Sequence, residues 1–153
     1  MSSYVNFYYR TKDDKFISLG DFSRSSYLYK ACEGAPYEKL ELFDKTTRKY
    51  VEDDLRSWET DAKAAITKLH NDLNNPVLFN GLDVPARRQL QLDLESEIEE
   101  WTQELDSILY AQNFLGFIED IHYDEDDYKT YSNETRIYYG IEVGGSLENL
   151  QND

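Results

Sequence analysis

Residues that carry covalent or metal chemistry are scarce in this sequence, which has one cysteine and two histidines among 153 residues. A single cysteine excludes an intramolecular disulfide, so the fold depends on its core and its hydrogen bonds. Cys32 has no histidine and no metal-ligand spacing beside it, which favours a small buried side chain over a reactive thiol. His70 is expected at the solvent edge of a helix, and His122 stands beside an acidic segment.

Long apolar runs are also missing. No stretch approaches the ~18 apolar residues that cross a bilayer, and the first residues lack a basic start followed by an apolar segment. We therefore expect a cytoplasmic protein with no membrane partner.

Basic residues are scarce in the second half of the chain. The whole sequence has 31 acids and 16 bases, a net charge of −15. Residues 1–82 hold 13 acids and 12 bases, whereas residues 83–153 hold 18 acids and four bases. Such a field repels nucleic acid and anionic membranes and attracts basic protein surfaces.

The first 43 residues predict a β-hairpin followed by a short helix. Residues 4–10 are rich in aromatic and β-branched side chains, a polar turn follows at 12–14, and residues 16–19 form the partner strand. Tyr27, Leu28 and Ala31 mark the inner face of the helix, which Gly34 and Pro36 close. Residues 36–43 fit either a short strand or an irregular packed connection.

Two long helices have the clearest periodicity in the chain. Asp44 caps the first, which stops at 74–76, and Asp83 starts the second. Apolar residues recur in both at spacings of four and three, which is typical of helices packed seam to seam. The seam residues are Val51, Leu55, Trp58, Ala62, Ala65, Ile66, Leu69 and Leu73, then Leu90, Leu94, Ile98, Trp101, Leu105 and Ile108. The short connection predicts an antiparallel hairpin over about 44–112.

The C-terminal part predicts a second β-hairpin. Residues 114–123 read as a strand, and the alternation along 135–143 predicts its partner. The predicted fold class is therefore α+β: an antiparallel sheet from N- and C-terminal β-hairpins, a short helix, and a long inserted coiled-coil-like helical hairpin. Residues 1–143 are expected to form one domain and residues 144–153 a disordered tail.

No motif for catalysis or metal binding emerges. The acidic loop fails as a calcium site because Tyr128 takes the fifth position and Lys129 the sixth, where glycine is required. Gly144 and Gly145 precede no helix, so no phosphate loop is present. His122, Asp124 and Asp126 could be grouped as three metal ligands, but such a group arises easily by chance in an acidic segment. We therefore expect a non-enzymatic protein with no metal and no cofactor.

The acidic second half predicts a protein-binding surface. Acids surround the tyrosines of the loop, so a basic protein partner fits this region better than nucleic acid. The predicted partner-binding residues are Glu95, Glu99, Glu100 and Glu104 on the second helix and Asp124, Glu125, Asp126, Asp127, Tyr128 and Tyr131 in the loop.

In charge and size alone, the chain resembles phage inhibitors that imitate nucleic acid, among them anti-restriction and anti-CRISPR proteins. The resemblance implies an inhibitor that occupies the nucleic-acid-binding surface of a nuclease or other defence protein. The second helix places eight acids along about 45 Å, roughly one per 5–6 Å. Duplex DNA carries one charge per ~1.7 Å. Glu97 and Glu99 are two residues apart, so the helical acids do not all share one face.

The alternative hypothesis is a homo-oligomeric structural or adaptor protein that assembles as a homodimer through its helical hairpin. This assembly requires a second apolar stripe on the helices. Leu92, Leu109 and Tyr50 lie off the main seams and are the candidates for that stripe.

Overall fold

The computed structural model describes residues 3–121 and 136–143, and it confirms an α+β fold with a four-stranded antiparallel sheet and a helical hairpin. The elements are β1 (Ser3–Arg10), β2 (Phe16–Ser23), α1 (Tyr27–Ala31), β3 (Glu41–Leu42), α2 (Lys45–Leu73), α3 (Pro76–Phe79), α4 (Val84–Asp120) and β4 (Ile137–Val143). The predicted tail at 144–153 lies outside the described residues. None of the described helices is both long and apolar enough to cross a membrane.

The chain divides into two compact units. The sheet unit comprises residues 1–55 and 110–153, and the hairpin unit comprises Arg56–Leu109. Residues of α2 and of α4 belong to both units.

Strand β1 is the centre of the sheet unit. The strand order is β2-β1-β4-β3, and β1 pairs antiparallel with both β2 and β4. Val5, Phe7 and Tyr9 of β1 are fully buried. The predicted N-terminal hairpin is confirmed, although β2 extends four residues beyond its predicted end at Leu19.

An aromatic cluster fills one face of the sheet. The ring of Phe7 lies 5.3 Å from Phe43, 5.3 Å from Phe114 and 6.0 Å from Tyr139, measured between centroids. Contacts of this kind add to the free energy of burying apolar surface. Phe114 belongs to α4, so the last part of that helix covers this face of the sheet.

The assignment of residues 114–123 as a strand is wrong, because α4 continues to Asp120. The aromatic and β-branched composition of this segment suggested a strand, but its buried positions follow the helical period. The buried residues are Ile108, Ala111, Phe114, Leu115 and Ile118. They continue the seam of α4, so no strand precedes β4 in a C-terminal hairpin there, and the predicted helical end at 112 moves to 120.

Both long helices have the predicted seams. All fourteen seam residues are buried or half-buried, with Leu55 and Ala62 fully inaccessible. Within the sheet unit, the Arg48 guanidinium of α2 donates hydrogen bonds to the Leu115 carbonyl and to Glu119 of α4, the latter at 3.2 Å. This charged group therefore ties the start of α2 to the end of α4.

The connection at 36–43 packs on β4. The Ile141 amide donates to the Pro36 carbonyl at 2.8 Å, and the Glu38 amide donates to the Ile141 carbonyl at 2.8 Å. Gly140 permits this approach, since a Cβ there would lie 2.1 Å from the Lys39 carbonyl oxygen. The ambiguous segment is thus a packed connection that ends in the two-residue strand β3.

We predict that Gly140→Ala lowers the free energy of unfolding by about 2 kcal/mol, because the new methyl group overlaps backbone that must shift. Urea denaturation followed by circular dichroism measures the change. The matched control is Gly116→Ala on α4, where a Cβ meets nothing within 4 Å. That variant should be more stable by roughly 0.5–1 kcal/mol. A wild-type urea midpoint for Gly140→Ala would contradict the prediction.

A second prediction concerns the N-terminus of α2, where the Asp44 carboxylate accepts a hydrogen bond from the Thr47 amide at 2.8 Å. This bond lowers the pKa of Asp44. A lowered folded-state pKa stabilises the fold above the ordinary aspartate pKa, and the effect is lost as pH falls through the folded value. Asp44→Ala should therefore cost about 1 kcal/mol at neutral pH. This cost should shrink below pH ~4.

Urea titrations of both proteins between pH 3 and 7 measure this difference. Asp44→Asn is the control, because it keeps an acceptor for the Thr47 amide without the charge. Its stability should stay near that of wild type at neutral pH. An Asp44→Ala deficit that is constant across the pH range would show that the carboxylate charge has no part in the cap.

Candidate functional site

The helical half of the predicted partner-binding site lies on α4 in the hairpin unit. Glu95, Glu99, Glu100 and Glu104 are all exposed. The loop half lies outside the described residues: Asp124, Glu125, Asp126, Asp127, Tyr128 and Tyr131.

The acids of α4 form two rows beside its seam. One row precedes the seam residues by one position, and we call it the first acidic row: Asp93, Glu97, Glu100 and Glu104. The other follows the seam by one position, and we call it the second acidic row: Glu95, Glu99 and Asp106. One residue turns the helix by about 100°, so the rows flank the seam on opposite sides.

The predicted set of four glutamates is therefore not one face. Glu100 and Glu104 belong to the first row, while Glu95 and Glu99 belong to the second. The helix also places Asp93 and Glu97 in the first row beside Glu100 and Glu104, and neither belongs to the predicted set. Their spacing of four, three and four was the available signal, since it repeats the spacing of the seam.

The basic residues of α4, Arg87 and Arg88, both precede the acidic rows. Residues 89–120 contain no lysine and no arginine. Among the ion pairs of residues 3–121 and 136–143, none involves an acid between 93 and 106. Helix α2 differs, because Lys63 pairs with Glu59 at 2.5 Å and Lys49 with Asp53 at 3.4 Å. Negative charge is thus concentrated on α4.

The local charge density exceeds the average for the helix. Seven acids occur within residues 93–106, a rise of about 20 Å. That is one charge per ~3 Å of axis, about half the density of duplex DNA. The surface between the rows is polar and uncharged, and it carries Gln89, Ser96 and Gln103.

A second apolar stripe is poorly developed on the hairpin. Leu92 is 49 % exposed and stands one heptad before Glu99, in line with the second acidic row. Leu109 is half-buried, and Tyr50 of α2 is 70 % exposed. Leu92 is therefore the one candidate on α4 with a largely exposed side chain.

Neither cysteine chemistry nor a metal site is evident in the parts of the chain that are described. Cys32 is buried, and desolvation raises the pKa of its thiol to about 12, so the thiol stays protonated. This confirms the interpretation of Cys32 as a small core residue. Residues 3–121 and 136–143 contain no cluster of three metal-ligating side chains. His122, Asp124 and Asp126 fall outside those ranges.

Sequence patterns missed one cleft in the sheet unit. It has a volume of about 550 Å³. Strand β2 contributes Leu19, Gly20, Asp21 and Phe22, and α4 contributes Tyr110, Asn113, Phe114 and Phe117. The wrong strand assignment at 114–123 concealed it, because the cleft depends on a helix there.

Comparison of the chain with protein-family models, curated proteins and solved structures gave no match. The two acidic rows are the strongest candidate for a binding surface, because they combine regular spacing, exposure and charge that no ion pair of the described residues offsets.

Proposed function

We propose that this protein is a non-enzymatic binding module that covers the basic, nucleic-acid-binding surface of another cytoplasmic protein and so inhibits it. A phage-type inhibitor of a nuclease or other defence protein fits this description. The observation that carries the proposal is the pair of acidic rows on a helix without a single base from residue 89 to 120.

The charge of these rows favours a basic partner. A single exposed ion pair contributes only about 0.2–1 kcal/mol. Seven acids on one stretch of helix act together, raising the rate of encounter with a positive surface and disfavouring neutral or acidic partners. Since α4 is a regular helix, its carboxylates need little reordering on binding, which lowers the entropic cost.

The linear arrangement favours a partner that normally holds nucleic acid. Proteins bind the phosphate backbone through lysine and arginine residues that follow its regular charges. The first acidic row repeats its charges about every 5–6 Å along the axis. The uncharged strip of Gln89, Ser96 and Gln103 separates it from the second row. Two lines of negative charge with a neutral strip between them resemble the two strands of a duplex in outline.

The alternative of a homodimer through the hairpin stays a prediction. It requires an apolar stripe on the hairpin unit, where Leu92 of α4 is 49 % exposed but stands in line with the acids of the second row. The net charge of −15 also opposes association of two copies. Light scattering on the purified chain measures this directly, and a stable dimer would favour the alternative.

We predict that reversing the first acidic row removes partner binding. The test variant combines Glu97→Lys, Glu100→Lys and Glu104→Lys, and the control combines Asp13→Lys, Asp54→Lys and Asp61→Lys, with the same change in net charge. Each immobilised chain is incubated with an extract of its natural host at two salt concentrations, and retained proteins are identified by mass. Wild type and control should retain a nucleic-acid-binding protein at low salt, and added duplex DNA should displace it.

The dissociation constant of the retained protein for each variant then gives the size of the effect. The row variant should bind about tenfold more weakly or worse at low salt, and its affinity should depend less on salt. An equal loss of affinity in the row variant and the control would show that net charge alone causes the effect. If the row variant still retains the partner and duplex DNA does not displace it, the proposal is refuted.

A further inference from the structure

The aromatic cleft of the sheet unit has no part in the proposed function, and it lies beside an edge of the sheet. Strand β2 is the last strand in the order β2-β1-β4-β3, so its outer edge has no paired strand among the described residues. An unpaired edge offers a row of backbone donors and acceptors to another extended chain.

The edge of β2 is only partly protected against pairing, by a bulge and by Asp21. Its eight residues, FISLGDFS, include no proline and no lysine, whereas the opposite edge strand, β3, is only two residues long. Phe7 pairs with Gly20 and Tyr8 with Ser18, so Leu19 is an extra residue that bulges from the ladder. The bulge separates residues 20–23 from the start of the strand, and the cleft begins there.

Four aromatic rings continue from this edge onto α4. Phe22 and Phe114 lie 4.7 Å apart, Tyr110 lies 6.0 Å from Phe22, and Phe117 lies 6.2 Å from Phe114. Tyr110 is 65 % exposed and Phe117 is 51 % exposed, although α4 has buried positions for other aromatic residues. A volume of about 550 Å³ accommodates one or two large side chains.

Gly20 lets an aromatic ring of α4 pack directly against the strand. A Cβ at Gly20 would lie 3.1 Å from the ring of Phe114, which is closer than ordinary contact. Phe114 of α4 therefore lines the cleft directly beside residue 20.

The charge of the cleft indicates the sign of its ligand. Asp21 lines the cleft and is exposed, and no lysine or arginine is among its lining residues. The chain as a whole carries −15. A basic segment is attracted to such a site, whereas a second copy of this acidic chain is repelled.

We infer that β2 and the aromatic cleft bind an extended basic segment of a partner protein. The segment adds as a strand beside residues 20–23, places an aromatic or aliphatic side chain on the four rings, and sets a lysine or arginine next to Asp21. This surface belongs to the sheet unit and shares no residue with the acidic rows, so the two proposals stand or fall separately.

Three fluorescent eight-residue peptides test this inference on the full chain by fluorescence anisotropy. The first alternates lysine with phenylalanine or valine, the second carries glutamate in place of lysine, and the third is the first with alternate backbone amides methylated. We predict that the first binds at least roughly tenfold more tightly than either of the others. Amide chemical shifts of residues 16–23 should change when it binds.

Two variants locate the binding site. Tyr110→Ala and Phe117→Ala remove exposed rings, and each should weaken binding of the first peptide several-fold with the fold intact. The matched control is Tyr50→Ala, since Tyr50 is 70 % exposed on α2 and does not line the cleft. It should bind as wild type does.

Several outcomes would overturn the inference. Absence of binding by the first peptide would do so, as would equal binding of the methylated peptide, which cannot complete a ladder. An equal loss in Tyr50→Ala would show that the peptide adheres to exposed rings in general. If the chain forms a dimer without peptide and Phe117→Ala dissociates it, the edge of β2 binds a second copy of the chain instead.

Discussion

The packing of aromatic rings around Phe7 is the interaction on which the sheet unit depends. Phe7 comes from the central strand, Phe43 precedes α2, Phe114 lies on α4 and Tyr139 lies on β4. These rings join segments that are far apart in sequence, and each buries a large apolar area. Without the end of α4, the aromatic face of this sheet would be open to water. Helix α4 therefore covers the sheet at its end and carries the acidic rows in its middle.

Local pattern predicted much of this fold. The β1–β2 hairpin, β4 and both long helices follow from alternation, heptad spacing and capping residues such as Asp44. The failure at 114–123 shows the limit of composition. Phe114, Phe117 and Ile118 favour strands by residue type, but burial follows a spacing of three and four because the segment packs as a helix. Gly116 in its middle does not break the helix.

The two candidate sites differ in how much of each can be predicted from the sequence. The acidic rows follow from helix geometry, so their members could be assigned once the seam of α4 was recognised. The cleft could not, since Phe22 and Phe114 meet only through tertiary packing. Ion pairing is partly visible in the sequence: Glu59 and Lys63 of α2 stand four residues apart and pair, whereas residues 89–120 hold no lysine or arginine.

The acidic rows also destabilise the helix that carries them. Asp93 with Glu97, Glu95 with Glu99, and Glu100 with Glu104 are like-charged neighbours four residues apart. Each such pair destabilises a helix by about 0.2–0.5 kcal/mol. Repulsion within the rows therefore destabilises the middle of α4. A cation that screens the rows reduces this repulsion and stabilises the helix as it binds. The helix is therefore less stable alone than when a positively charged partner is bound to it.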